Sequence, residues 1–253
     1  MVRDHRVDRE LILGRNPVAE ALRAGTRVKQ VLVARGSRGP ELSRLLREAR
    51  SRGVGVEEVD GAELDRLAAA HGSLRHQGVA ALVAPLKCSD VDDILAGARA
   101  KGEIPLVIAL DRIQDPMNLG SIVRTAEAAG AHGIILPRRR SVGLTPAVAR
   151  SSAGAVEHLR VARVSNMVSE LRSLKEKGLW VAGLDVSGGP LWKADLSRPL
   201  VLVVGGEGTG LGRLVRETCD FLVGIPIVGK VGSLNAGVAA ALAIYEAVRQ
   251  RSE

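Results

Sequence analysis

Aromatic residues are nearly absent from this 253-residue chain, which carries only Trp180, Trp192, Phe221 and Tyr245. A core must therefore be built from Val, Leu, Ile and Ala. A bound nucleic acid could not rely on many aromatic stacking platforms. Cysteine is as sparse: Cys88 and Cys219 lie far apart with no CxxC spacing, which argues against a disulfide framework or a zinc site. The histidines, at 5, 71, 76, 132 and 158, show no metal-ligand spacing either, so no metal is expected. The N-terminus "MVRDHRVDRE" has no apolar h-region and does not read as a signal peptide. No apolar run reaches the ~18 residues of a membrane-spanning helix. With unpaired thiols, these absences lead to the expectation of a cytoplasmic protein with no membrane partner.

What is present is ample apolar mass and an excess of positive charge. Hydrophobic residues make up 46% and charged ones 25%, enough for one large domain or two modest ones. The net charge of +8 and pI of about 10.2 favour a polyanion as partner, and equally suit a merely soluble basic surface.

Two patterned regions flank a polar stretch. Residues 1–10 read as a solvated tail. Over 11–84, "NPVAEALRAG" predicts a helix with Asn16 as cap, Pro17 at its first position and Gly25 as its stop. "VKQVLVA", "VGVEEV" and "GVAALVA" read as strands, and "PELSRLLREARSRG" and "AELDRLAAAHG" as helices, together a small α/β unit. Residues 85–103, polar with prolines near both ends and a short helical stretch, read as a connection. From 104 to 253 the strands "PLVIAL", "GIILP", "LWVAGLD", "LVLVVGG" and "FLVGIP" alternate with helices near 118–129, 144–153, 165–177, 211–217 and 235–250. Continuous apolar strands of this kind predict a parallel sheet covered on both faces, with ligands at the strands' carboxyl ends.

Three glycine-rich turns follow such strands. In "LDRIQDPMNLGSIVRTAEAAG", 110–130, Asn118 is either a helix cap or a site residue, and Arg124 either a surface charge or a functional one. In "LVLVVGGEGTGLGRLV", 200–215, dense glycine permits positive φ and close approach of a ligand. The spacing is not GxGxxG, because Leu211 stands where the last glycine is needed, and Glu207 would repel a phosphate. "GIPIVGKV", 224–231, has Val231 where a P-loop needs Ser or Thr. The helix that follows is entirely Ala, Gly, Val, Leu and Ile over 236–244, a pattern for burial all round. Asn235 can cap it. Capping leaves Ser233, Lys230 and the neighbouring glycines unexplained. None of the three loops offers a nucleophile–base pair or a metal cluster. They offer backbone groups, apolar walls, one carboxylate and one guanidinium, which suits a neutral-to-cationic adenine-bearing cofactor.

"NLGSIVRTAEAAG", "LVVGGEGTGL" and "IPIVGKVGSLNAGVAAALAIYEAVRQR", in this order and spacing, resemble the three motifs of the SpoU/TrmH family of RNA ribose 2′-O-methyltransferases. Residues 11–84 resemble the family's ribosomal-protein-like substrate-binding domain. The resemblance implies an α/β SPOUT-type fold for 104–253 with a trefoil knot, a rare exception to the rule against threading. It implies S-adenosylmethionine as cofactor and a homodimer with the site completed at its interface. It also implies an RNA substrate, closest to a guanosine ribose of large-subunit (23S) rRNA or a precursor of it. Carried over by position, Asn118, Arg124, Glu207, Ser233 and Asn235 are expected to be catalytic. Val204, Gly205, Gly206, Ile225, Ile227, Leu234 and Asn235 are expected to hold the cofactor. A guanidinium keeps its proton, so Arg124 is expected to clamp a phosphate and steady the developing alkoxide, with Asn118 and Ser233 orienting it and the ribose. Arg15, Arg35, Arg38 and Arg112, and "PRRRS" at 137–141, are candidates for RNA contact, or are solvated surface charges. The chain departs from the family at Ala236-Gly237, where Val-Ser is frequent, and at Gly232. A tRNA ribose methyltransferase shares all three motifs. An adenosine-modifying resistance methyltransferase, a non-catalytic ribosome-assembly factor and, more distantly, a dinucleotide oxidoreductase are the other readings.

Overall fold

The computed structural model describes residues 10–24, 28–71, 75–84 and 88–252, and the expected tail and the stop at Gly25 lie outside them. The chain divides into two compact units, one formed by residues 1–87 and 144–158, the other by 88–143 and 159–253.

The first unit is a four-stranded sheet in the order β1-β4-β2-β3, with β1 Glu10–Leu13, β2 Val28–Ala34, β3 Gly55–Val59 and β4 Val79–Val83. Only β2 and β3 run parallel. Alternation along each strand serves two cores. Ile12, Val31, Val33 and Val79 face Val18, Leu22, Leu42 and Leu45 of helices α1 Arg15–Ala24 and α2 Pro40–Ser51. Leu11, Leu13, Leu32 and Leu82 face Leu64 and Leu67 of α3 Gly61–Ala70. Strand β1 is too short to show a period and is not legible in the sequence. Asn16 is not the cap of α1, which begins one residue earlier: the Arg15 N–H bonds the Gln77 side chain at 2.9 Å.

The second unit is a six-stranded, wholly parallel sheet in the order β10-β8-β9-β5-β6-β7. Its strands are β5 Leu106–Asp111, β6 Gly133–Pro137, β7 Val161–Val164, β8 Trp180–Pro190, β9 Leu200–Gly205 and β10 Phe221–Gly224. Val107, Ala109, Val181, Val201 and Val203 pack against α4 Val91–Lys101, α7 Met167–Glu176 and α8 Arg213–Thr218. The opposite face, with Ile108, Leu110, Leu202 and Val204, is covered by α5 Pro116–Ala128 and α9 Ala236–Arg251.

Three expectations change here. The stretch read as a connection carries α4, whose Val91, Ile94 and Leu95 at helical spacing enter the core. The helix near 144–153, α6 Pro146–Ser151, belongs to the first unit and packs on β1. Helix α9 is not buried all round: Val238, Leu242 and Tyr245 are 50%, 47% and 50% exposed, while Ala240, Ala243, Ile244 and Ala247 are buried. Its first nine residues are apolar on every side, but one side has no partner among the described residues.

Helix α9 is held at its far end by Arg251. The guanidinium donates to the carbonyls of Ile104 (2.9 Å), Pro105 (3.1 Å), Arg198 (2.6 Å) and Leu196 (3.4 Å). Charge-assisted bonds to backbone oxygens are among the stronger ones. Arg251→Met is expected to lower stability by roughly 2–4 kcal/mol, read by urea denaturation. An unchanged midpoint would show these bonds to be exchanged freely for water.

The cysteines differ in environment. Cys88 is exposed, while burial, aided by the Asp220 carboxylate, pushes the Cys219 thiol up to about 12. The thiolate is the reactive form. Native protein at pH 8 is expected to take up one equivalent of a thiol reagent at Cys88, the second reacting only after unfolding.

Candidate functional site

The sheet order reverses between β9 and β5, so their carboxyl ends diverge into a crevice, the usual ligand position in an open parallel sheet. The three glycine-rich turns meet at this edge. Helix α5 starts after β5, the 205–212 turn follows β9, and the 225–235 turn links β10 to α9.

Asp115, not Asn118, caps α5: its carboxylate accepts from the N–H groups of Met117 (3.0 Å) and Asn118 (3.3 Å). The buried Asn118 side chain is thereby free for other bonds. Its Nδ2 donates to Glu207 Oε1, and its Oδ1 accepts from Asn235 Nδ2 at 2.8 Å. Asn235 Oδ1 in turn accepts from the N–H groups of Gly237 (2.9 Å) and Val238 (3.2 Å), capping α9. One chain of amides and a carboxylate thus joins all three turns. Glu207 is explained by it, because the carboxylate meets a donor rather than a phosphate.

The glycines of the second turn are needed for close approach. A Cβ on Gly205 would run into the Gly210 carbonyl, and one on Gly206 would lie 2.5 Å from the Arg112 carbonyl oxygen. Gly208 and Gly210 hold φ of 72° and 60°, open to glycine at little cost. The turn closes through a 2.9 Å bond from Gly210 N–H to Gly206 O. Asp111, at the end of β5, accepts from Gly212 N–H at 2.7 Å and fixes the turn from below.

This turn walls a cavity of about 440 Å³, within the usual size range of small-molecule sites. Val204, Gly205, Gly206, Ile225, Ile227 and Leu234 all line it, as do Glu207 and Ser233. Asn118 and Asn235 stand behind the wall, holding it. Asp185 of β8 also faces the cavity. Bonds from Ser187 Oγ (2.7 Å) and N–H (2.9 Å), with Arg216 Nε at 3.3 Å, hold its carboxyl below the usual carboxylate range. Asp185 does not stand out in the sequence, and the bond from Gly212 to Asp111 leaves no local pattern there. For Asp115, an Asp directly before Pro116 at a helix start is a readable signal.

Arg124 lies apart from the cavity, exposed on α5 with no hydrogen bond or ion pair among the described residues. Gly237 packs against α5 where a Cβ would be 3.1 Å from Ser121 Oγ, so a hydroxyl still stands beside the start of α9. In the first unit, Arg15 is engaged internally, bonding the Gln77 and Arg38 carbonyls at 3.3 and 3.1 Å. Arg35 pairs with Asp60 at 3.1 Å, and Arg38 is exposed. Arg112 lies beside Asp111, on the far side of the Gly206 turn from the cavity. Among the described residues, no group of three or more His, Cys, Asp or Glu could hold a metal, and no helix is long and apolar enough to cross a membrane.

The amide chain predicts a separable pair of variants. Asn235→Ala removes the cap and the link together, and is expected to lower stability by about 1 kcal/mol and ligand affinity at the cavity roughly tenfold. Asn235→Asp keeps the cap but sets a carboxylate against Asn118 Oδ1, so the cap's share of stability should hold while affinity falls. Thermal unfolding and titration calorimetry read the two effects. Equal affinity in both variants and the parent would show the link to be incidental.

Residues 105–245 match the SpoU rRNA methylase family, and residues 11–88 match the RNA 2′-O ribose methyltransferase substrate-binding family. The chain is 43% identical over 244 residues to a TrmH family tRNA/rRNA methyltransferase of Bacillus subtilis, covering 96% of each. An AdoMet-bound rRNA methyltransferase from Sinorhizobium meliloti superimposes with a TM-score of 0.78 at 28% identity, covering 98% of this chain and 90% of that one. A TrmH/SpoU tRNA modifying enzyme from A. aeolicus, 27% identical with a TM-score of 0.53, covers 59% of this chain and 77% of its own. A cavity with apolar walls, glycine backbone and no phosphate grip fits S-adenosylmethionine, and the chain belongs to the SpoU/TrmH family of S-adenosylmethionine-dependent RNA 2′-O-methyltransferases.

Proposed function

We propose that the protein methylates the ribose of a guanosine in large-subunit (23S) rRNA or a precursor of it, acting as a homodimer. The observation that supports rRNA over tRNA is the substrate-binding unit. The likeness to an rRNA methyltransferase runs through both units, whereas the tRNA modifying enzyme matches little more than half of the chain. A net charge of +8 supports a polyanionic substrate.

Val204, Gly205, Gly206, Ile225, Ile227 and Leu234 would hold S-adenosylmethionine, which supplies a methyl group already activated by its sulfonium. The protein's task is then to position the 2′-hydroxyl and ease the loss of its proton. Ser233, on the cavity wall, orients the ribose. Glu207, Asn118 and Asn235 keep the three turns in register. Arg124 holds the adjoining phosphate and stabilises charge developing on the 2′-oxygen.

The dimer reading rests on α9. Val238, Leu242 and Tyr245 recur at helical spacing as an exposed apolar stripe, a pattern that wants a partner. Arg124 shares an exposed face of α5 with Met117 and Ser121, and Ser121 lies beside Gly237 at the start of α9. A second copy seated there would bring Arg124 to a site it does not reach in its own chain. The trefoil knot belongs to the same reading. It is supported by the path of the chain, which leaves β10 at the sheet edge and returns through the 225–235 turn to lay α9 along α5.

The test is transfer of labelled methyl from S-adenosylmethionine to unmodified large-subunit rRNA and to unmodified tRNA, with the product mapped by its resistance to alkali. Label in rRNA at an alkali-resistant linkage is expected, and label confined to tRNA would overturn the substrate assignment. Arg124→Lys should lower turnover roughly 10²–10³-fold with cofactor affinity unchanged, since an ammonium cannot reproduce the bidentate clamp. Near-normal turnover would remove Arg124 from that role.

A further inference from the structure

The carboxyl edge of the six-stranded sheet has two halves. The ends of β10, β8 and β9 form the cofactor cavity. The ends of β5, β6 and β7, with the start of α8, form a second groove of about 500 Å³. Four arginines line it: Arg112 after β5, Arg139 and Arg140 after β6, and Arg213 at the start of α8. They come from three separate connections, so the cluster is made by the fold and not by one basic run.

The groove has little to neutralise this charge. Asp111 is the acidic residue lining it, and that carboxylate is buried, bonded to Gly212 N–H at 2.7 Å and 3.8 Å from Arg112 Nε. Arg213 pairs with Glu217 at 3.1 Å, both largely exposed, a contact that solvent screens. Arg139 and Arg140 are exposed and have no hydrogen bond or ion pair among the described residues. Arg112 and Arg140 hold positive φ, 63° and 60°, a backbone setting that side chains other than glycine rarely adopt. Residues kept in that setting concentrate at ligand clamps.

We propose that this groove binds the phosphodiester backbone of the substrate RNA beside the nucleotide being methylated. The proposal rests on the methyltransferase reading above. Guanidinium groups match phosphate oxygens in pairs and lose little on ordering. The groove is also placed for it: the Arg112 carbonyl abuts Gly206, so one turn of chain separates the arginines from the cofactor cavity. RNA with its target ribose at the cavity would run its neighbouring phosphates across Arg112 toward Arg139 and Arg140. Because such contacts read no base, the groove sets register and affinity, not sequence.

The test compares the parent with Arg139→Ala/Arg140→Ala and Arg139→Lys/Arg140→Lys. Full-length protein is titrated with an unmodified large-subunit rRNA transcript over a range of salt, and methyl transfer is measured alongside. For the alanine variant, RNA affinity is expected to fall about tenfold at 0.15 M salt, and the slope of log affinity against log salt to shrink by about 0.7 for each phosphate that is no longer neutralised. KM for RNA should rise while kcat and cofactor affinity stay near the parent's. The lysine variant should keep most of the salt slope. An alanine variant with the parent's affinity and slope would overturn the proposal, and so would a weaker affinity with the slope unchanged. A parent that neither bound nor methylated RNA would overturn the enzyme reading itself, a result distinct from either.

Discussion

The site depends on one short relay of hydrogen bonds, from Glu207 through Asn118 to Asn235. Each member sits in a different glycine-rich turn, more than 80 residues from the member it bonds. Two of the turns have little apolar contact of their own: 206–210 is mostly glycine, and 225–235 is largely exposed coil. Their mutual placement therefore falls to polar groups. Asn suits the middle position because one amide both donates and accepts, so a single side chain can tie two turns. Asp115 makes this possible by capping α5 in its place. The cavity wall thus depends on these three side chains together with the Asp111–Gly212 bond beneath the second turn.

Much of this is readable in the residues, and the parts that are not have physical reasons. The continuous apolar strands announce the parallel sheet, and the apolar runs of 28–34 and 79–83 mark the smaller one. The four-residue β1 and β7 escape such a reading because each carries a charged residue, whereas the equally short β10 opens an unbroken apolar run. Residues 91–101 read as a connection because polarity and nearby prolines outweigh a correct helical spacing. The turns are legible as candidate binding loops, since Glu207, Lys230 and Ser233 exceed what turns and caps require. Their bonds to one another are not, because contacts across such separations leave no local pattern. The Ala- and Gly-rich run of α9 signals burial and gives no hint of the uncovered stripe, since hydrophobicity does not say whether the covering surface belongs to the same chain.

The scarcity of aromatics shapes how this protein can hold RNA. Trp180 and Phe221 stand together at the amino ends of β8 and β10, with Arg198 over Trp180, at the opposite edge of the sheet from the cavity. Tyr245 lies on the stripe of α9 and Trp192 follows β8. No aromatic lines the cofactor cavity or the arginine groove. A protein without stacking platforms at its site must position a nucleotide by its backbone and ribose. That is sufficient when the reacting atom is the 2′-oxygen, because the base need not be read there. Dividing one sheet edge into a glycine-walled cofactor half and an arginine-lined half does this economically. Glycine would let the backbone approach a cofactor that carries no phosphate, and arginine on the adjoining connections would meet the phosphates of the chain being modified. The two halves share the Gly206–Arg112 contact, so substrate held on one side would be placed by the same turn that shapes the other.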